Sequence, residues 1–406
     1  MLTKEQRIRD YEYLWEILNS CFPVREVMKR VGLDWKEIEE KCRPGVENAA
    51  DDLEFSKAMN RVFEEFGHFS HSNLMNARMF ENYKKMMNSF VNGEMEIGAD
   101  PEGMRPWAEI FNHEKSEQFY SQFDSSEGAG RDFYWKGEAP EKPVTAAHEQ
   151  AKAGDGPFAY SAMLPGNVAY FRIPSLSAER IPIDRPVFFD FYEKYGSCSD
   201  MILDFRGNGG GATNYWAKLI VEPIIPEPVT VVSYMLYCDS EYNREFVKYG
   251  FSEEVGEFRG EKHPIEELKK EPGLPKLSDD YLIQPTNYYK AFEDYKPDPE
   301  HRFTVENGIW MLTDRKVYSS SEGFAYFCRS TGFAKLVGET TGGDGVGITP
   351  FHAMLPESGM IIRYSGEMGL NPDGGSNPEY RTVPDIECDP ALALAVCLAA
   401  IESGNS

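Results

Sequence analysis

From Lys4 to about Asn92, apolar residues recur at helical spacing. Tyr11, Leu14, Trp15 and Leu18 fall at i, i+3, i+4 and i+7, the stripe by which an amphipathic helix meets a core. Val27 and Val31, then Trp35 and Ile38, mark a second and a third short helix around Gly32-Leu-Asp. Asp52 to Phe66 gives another amphipathic helix. It ends in Gly67-His-Phe-Ser-His-Ser-Asn, and helical spacing resumes from Leu74 to Phe90. The pattern predicts an N-terminal helical bundle or cap over residues 1–95. Between Gly93 and Gly166 the periodicity fades while Gly, Pro, Asp and Glu accumulate, notably in Gly137-Glu-Ala-Pro-Glu-Lys-Pro. Residues 96–165 are therefore expected to be a linker with irregular structure.

The second half reads differently. Asn167-Val-Ala-Tyr-Phe-Arg-Ile is a strand, Pro186 to Tyr195 a Phe-rich helix, and Asp200-Met-Ile-Leu-Asp-Phe-Arg a buried strand, which together make a βαβ unit. Thr213 to Ile220 reads as a helix and Val229 to Leu236 as a strand, followed by a long acidic, Pro-punctuated insertion at about 238–295. Ile309-Trp-Met-Leu-Thr and Ala334-Lys-Leu-Val-Gly-Glu are further strands. Phe351 to Leu355 and Met360 to Tyr364 form a hairpin through Glu357-Ser-Gly, and Pro390 to Ile401 is a terminal helix. Residues 166–406 thus read as one α/β domain whose loops follow strand ends, where open α/β sheets build their sites.

Composition narrows the class. The 406 residues are 41% hydrophobic and 13% aromatic, as in a folded protein with a sizeable core. Lys and Arg number 42 against 67 Asp and Glu, and the net charge of −25 opposes binding to nucleic acid or an anionic membrane. No run approaches the ~20 apolar residues a membrane span needs, and no apolar segment follows a basic start. Seven scattered cysteines without a C-x-x-C pair argue against a disulfide framework or a zinc knuckle. A cytoplasmic setting is expected, with export through a segment outside this sequence as the alternative.

Three stretches carry candidate chemistry. In Val317-Tyr-Ser-Ser-Ser-Glu-Gly-Phe, hydroxyl residues open a buried helix. Ser319 is either a nucleophile or, with Glu322, half of a capping box in which hydroxyl and carboxylate satisfy backbone N–H groups. Gly207-Asn-Gly-Gly-Gly follows a strand and either exposes N–H groups to an oxyanion or makes a tight turn. Gly207, Gly209 and Ala212 also satisfy a dinucleotide fingerprint. The acid it requires about twenty residues on is represented only by Glu222 and Glu227, beside prolines and outside any strand. His68 and His71 stand at a helix break without a third metal ligand, so no metal is expected. Either is a satisfied polar residue or, for His71, a general base oriented by a further polar group.

Taken in order, Met201-Ile-Leu-Asp-Phe-Arg-Gly-Asn-Gly-Gly-Gly, Val317-Tyr-Ser-Ser-Ser-Glu, Leu336-Val-Gly-Glu-Thr-Thr-Gly-Gly and Val383-Pro-Asp-Ile resemble the C-terminal processing (tail-specific) serine peptidases. That group includes the tricorn core and the retinoid-binding repeats. The resemblance implies a ClpP/crotonase-like fold and maps the nucleophile to Ser319 and the oxyanion donors to Gly210 and Ser320. Ser-Lys members carry a lysine in a Gly-Lys-Gly loop, which here is Gly343-Asp344-Gly345. An aspartate cannot be the base of that dyad. The tricorn-like branch instead implies a Ser-His-Ser-Glu tetrad, which maps Ser70, His71 and Glu379, with Ser376 as a substitute polar group beside Glu379. No PDZ-type segment lies between His71 and Val168.

The expectation is a serine peptidase acting through an acyl-enzyme on peptide or unfolded protein, without cofactor and with a homo-oligomeric form left open. The alternatives are a binding protein on the same fold that has lost turnover, and a nucleotide-dependent enzyme using the Gly207 run.

Overall fold

The computed structural model describes residues 1–67, 70–94, 104–126, 129, 132–138, 157–251 and 259–404. His68 lies outside the described residues, as do residues 139–156.

The N-terminal helices form where the apolar stripes place them. They are α1 (Lys4–Cys21), α2 (Arg25–Arg30), α3 (Trp35–Asn48), α4 (Asp52–Phe66) and α5 (Ala77–Val91). Thr3 and Gln6 make a capping box on α1, and Asp34, Asp51 and Asn76 cap α3, α4 and α5, satisfying N–H groups that have no intrahelical partner. Trp15, Phe22, Trp35 and Phe66 meet in the middle, with Trp35 and Phe66 stacked at 4.9 Å. Two further helices, α6 (Arg105–Phe111) and α7 (Glu114–Tyr120), stand where an irregular linker was expected. At seven residues each they are too short for a helical period to emerge from the sequence. They form because Trp107, Phe111, Phe119 and Tyr120 are buried.

The α/β half is built on a six-stranded sheet ordered β13-β9-β8-β4-β3-β2. Its strands are β2 (Tyr160–Leu164), β3 (Val168–Arg172), β4 (Ser197–Asp204), β8 (Thr304–Thr313), β9 (Lys335–Gly338) and β13 (Ile386–Glu387). All neighbours are parallel except the β2–β3 pair. The crossover from β3 to β4 is helix α8 (Ile181–Tyr195). The terminal helix, Ala393–Glu402, seals Ile202, Trp310, Leu312 and Val337 on one face.

The 238–295 insertion is more ordered than its acidic, Pro-rich sequence suggested. It supplies β6 (Arg259–Pro264) and β7 (Asn287–Tyr295), which with β5 (Val229–Tyr237) and β12 (Glu367–Gly369) make an antiparallel sheet ordered β12-β5-β7-β6. A third sheet joins the two halves. There β1 (Asn73–Leu74), from the helical region, pairs with β11 (Ile361–Tyr364) of the hairpin whose other strand is β10 (Phe351–Met354). Tyr120 reinforces the seam: its hydroxyl accepts from Ile361 N–H and donates to the Met75 carbonyl, both at 2.9 Å. Among the described residues no helix is long and apolar enough to cross a membrane, and all seven cysteines are free.

Candidate active site

Strand β8 ends at Thr313, and the chain turns through Asp314 toward the serine run. The Asp314 carboxylate accepts from Lys316 N–H at 2.9 Å and from Gly207 N–H at 3.0 Å, tying this turn to the glycine run after β4. Ser319 then occupies the N-cap of helix α9 (Ser320–Thr331) with φ 59° and ψ −131°. A non-glycine residue held at positive φ is strained, and such strain persists only where the surroundings impose it. Here Gly343 O accepts the Ser319 N–H at 3.3 Å and Ser319 O accepts from Gly323 N–H at 2.9 Å.

The capping-box reading of Ser319 and Glu322 does not hold, because the Ser319 hydroxyl makes no cap hydrogen bond. Glu322 is fully buried and turned away, its Oε1 accepting from Asn377 Nδ2 at 2.8 Å and Thr382 Oγ1 at 2.6 Å. Burial raises its carboxyl above the usual range against those donors. The hydroxyl of Ser319 is left for chemistry.

The glycine run lies directly against the serine. A Cβ on Gly210 would stand 2.8 Å from Ser319 Cβ and 2.7 Å from Tyr318 O, and Gly210 has φ 101°. Only glycine permits this approach. The two expected oxyanion donors differ in availability. Ser320 N–H, opening α9, has no acceptor among the described residues, whereas Gly210 N–H donates to Asn208 Oδ1 at 3.0 Å.

His71 follows the α4 break and is fixed by the two-residue pairing of β1 with β11. Its carboxylate partner is Asp344. Asp344 Oδ2 accepts from the His71 N–H at 2.7 Å and lies 2.5 Å from His71 Nδ1. Ser365 Oγ and Tyr318 OH donate to the same oxygen at 3.1 and 3.2 Å. With that many donors Asp344 stays ionised: burial alone would raise its carboxyl, but the His71 and Ser365 contacts outweigh it and hold it below the usual range. Burial drives the His71 imidazole below its ordinary pKa against the pull of Asp344. A carboxylate can only accept, so Nδ1 carries the proton and Nε2 presents its lone pair.

The remaining expected members make other contacts. Ser70 Oγ pairs with Ser72 Oγ at 2.7 Å, not with His71. Glu379, expected to support the imidazolium, instead bonds Arg30 at 2.5 Å and Tyr281 OH at 3.0 Å. Ser376 is buried with its hydroxyl unpartnered. The loop near 379 does reach the site, but through Asn377, which accepts the Gly345 N–H at 3.1 Å and donates to Glu322. Ser319 and His71 share no hydrogen bond. They are linked through Tyr318, whose ring lies 4.6 Å from the imidazole and whose backbone precedes the serine. Asp344 was visible in the sequence only as the residue standing where a lysine was missing.

A strained serine at a helix start, a glycine run packed against it and a carboxylate-bound histidine are the parts from which serine hydrolases build their sites. Residues 167–388, more than half of the chain, match Peptidase family S41. The chain belongs to that family and is a serine-type peptidase, with peptide or protein as its substrate class. Two solved structures agree in fold. A candidate peptidase from Parabacteroides merdae ATCC 43184 is 15% identical, with a TM-score of 0.51 over 98% of this chain and 92% of that one. Mature CPAF complexed with lactacystin is 11% identical, with a TM-score of 0.54 over 99% and 98%. No curated protein sequence matches the chain significantly.

Proposed function

We propose that this peptidase works through a Ser319-His71-Asp344 triad, in which the aspartate at the position of the absent lysine orients the histidine. The observation that carries this reading is the double grip of Asp344 on His71, by backbone N–H and by Nδ1. In the reaction, His71 Nε2 takes the Ser319 proton as Oγ attacks the peptide carbonyl. The Ser320 N–H, joined by Gly210 N–H once it leaves Asn208, receives the oxyanion, each such donor contributing a factor of roughly 10²–10³. The tetrahedral adduct collapses as His71 gives its proton to the leaving amine, and the acyl-enzyme forms. Water, deprotonated by His71, then attacks the ester and releases the acid and the serine. Asp344 stays ionised throughout and balances the transient imidazolium. Ser70 and Glu379 act in this scheme as local structure.

The test is peptide hydrolysis from a mixed library, with Ser319→Ala and Asp344→Asn as controls. Cleavage lost in both supports the triad, and cleavage that survives Ser319→Ala refutes it. A binding protein without turnover is the second reading, favoured by the missing Ser319–His71 hydrogen bond and by the occupied Gly210 N–H. It predicts no cleavage by the parent chain.

A further inference from the structure

Strand β8 is paired along its whole length on one side only. β4 runs beside it from Thr304 to Leu312, whereas β9 begins opposite Trp310. Residues 304–309 therefore show an edge with no partner strand among the described residues, and unpaired strand edges are templates for an added strand. This edge forms one wall of a cavity of about 440 Å³, a size within the range of ligand sites. The other walls bring Ile225, Phe303 and Phe333 together with the side chains of Arg302 and Lys335.

The charge of the lining sets the cavity apart. The chain carries 67 acidic residues and a net charge of −25, yet Glu306, the one acid on this edge, is not part of the lining, and no other Asp or Glu lines the space. On other surfaces cations pair with carboxylates, for instance Arg315 with Glu339 and Lys218 with Glu222. Arg302 is exposed at the rim without a carboxylate partner among the described residues. Lys335 Nζ stands 5.3 Å over the Trp310 ring.

We propose that this cavity docks an extended peptide segment. The segment adds to the open edge of β8, buries an apolar side chain against Ile225, Phe303 and Phe333, and places an adjacent carboxylate on Arg302. Backbone pairing supplies affinity, and the apolar pocket and Arg302 supply selection. The site is distinct from the catalytic centre. It lies at the C-terminal end of the serine helix, where Gly332 and Phe333 line it, about 18 Å from Ser319 at ~1.5 Å per residue along the 12 residues of α9. A protein substrate gripped here would be presented to Ser319 as an intramolecular partner.

The measurement uses the full chain carrying Ser319→Ala, so that binding is read apart from turnover and the triad can fail without touching this result. Fluorescein-labelled Val-Tyr-Val-Leu-Glu amide and Val-Tyr-Val-Leu with a free carboxylate are titrated by anisotropy. Saturable binding of the first assigns an internal acid, and of the second a chain terminus. In either case the neutral Val-Tyr-Val-Leu-Gln amide and the surface variant Arg302→Glu should each weaken binding by about tenfold or more, and a photo-leucine version should crosslink within 303–309 or 332–335. No saturable binding of either acidic peptide, binding that Arg302→Glu leaves unchanged, or crosslinks beside position 319 would overturn the proposal.

Discussion

Asp344 shows what one residue can hide from a reader of sequence. In the Gly343-Asp344-Gly345 loop it signals only that a lysine base is missing, because its partner His71 lies 273 positions away. In the structure its carboxylate accepts from the His71 N–H and lies against Nδ1. Asp344→Asn should keep the fold but lower kcat by roughly 10⁴-fold, since an amide no longer fixes the Nδ1 tautomer. Steady-state kinetics beside a thermal melt checks this. The pH dependence has a definite sign. His71 acts as a base only when neutral, and burial sets its pKa below the ordinary 6.5. Activity should therefore rise with pH through a midpoint under 6.5 and stay level above it. Stability follows the same direction: a depressed His71 and a depressed Asp344 both contribute above their unfolded pKa values and lose that contribution as pH falls. A kcat/KM profile with a midpoint near 8 would contradict this. The strain at Ser319 offers a third test. Ser319→Gly should be more stable than Ser319→Ala by about 1 kcal/mol, because glycine accepts φ 59° freely. Both variants should be inactive, and equal melting temperatures would deny the strain.

At the scale of elements, the long amphipathic helices and the buried parallel strands were legible because their apolar residues repeat over whole windows. The serine helix was legible in position but ambiguous in meaning. Its hydroxyl run and Glu322 fit a cap by spacing, and only burial of Glu322 against Asn377 and Thr382 removes that reading. Helices α6 and α7 and strands β6 and β7 were not legible. They are short or interrupted, and they are held by partners distant in sequence, as β7 is by β5. The approach of the glycine run to the serine turn is an element-level contact with a sharp prediction. Gly210→Ala places a methyl 2.8 Å from Ser319 Cβ in a backbone conformation unfavourable to alanine. It should lower activity by roughly 10²-fold or more and lower the melting temperature as well. Parent-like kinetics would show that this contact is relaxed at no cost.

The whole molecule brings the site together from both halves of the chain. The helical region delivers His71 through β1, the α/β domain supplies Ser319 and Asp344, and the insertion braces the loop near 379 through Tyr281. Glu379 belongs to that bracing, since Arg30 of α2 and Tyr281 of the insertion converge on its carboxylate. Its assignment from sequence rested on a family position, and position in the chain does not say which way a carboxylate faces. Glu379→Gln should accordingly change kcat only a few-fold and cost stability of about 1 kcal/mol, as for a partly exposed ion pair. Whether Asp344 or Glu379 activates the histidine is read from the rate of fluorophosphonate labelling at Ser319, followed by intact mass and peptide mapping. With Asp344 in that role, the parent chain takes one adduct on Ser319, Glu379→Gln labels near the parent rate, and labelling slows by orders of magnitude in His71→Ala and Asp344→Asn. Labelling that is slowed in Glu379→Gln but unaffected in Asp344→Asn would contradict it.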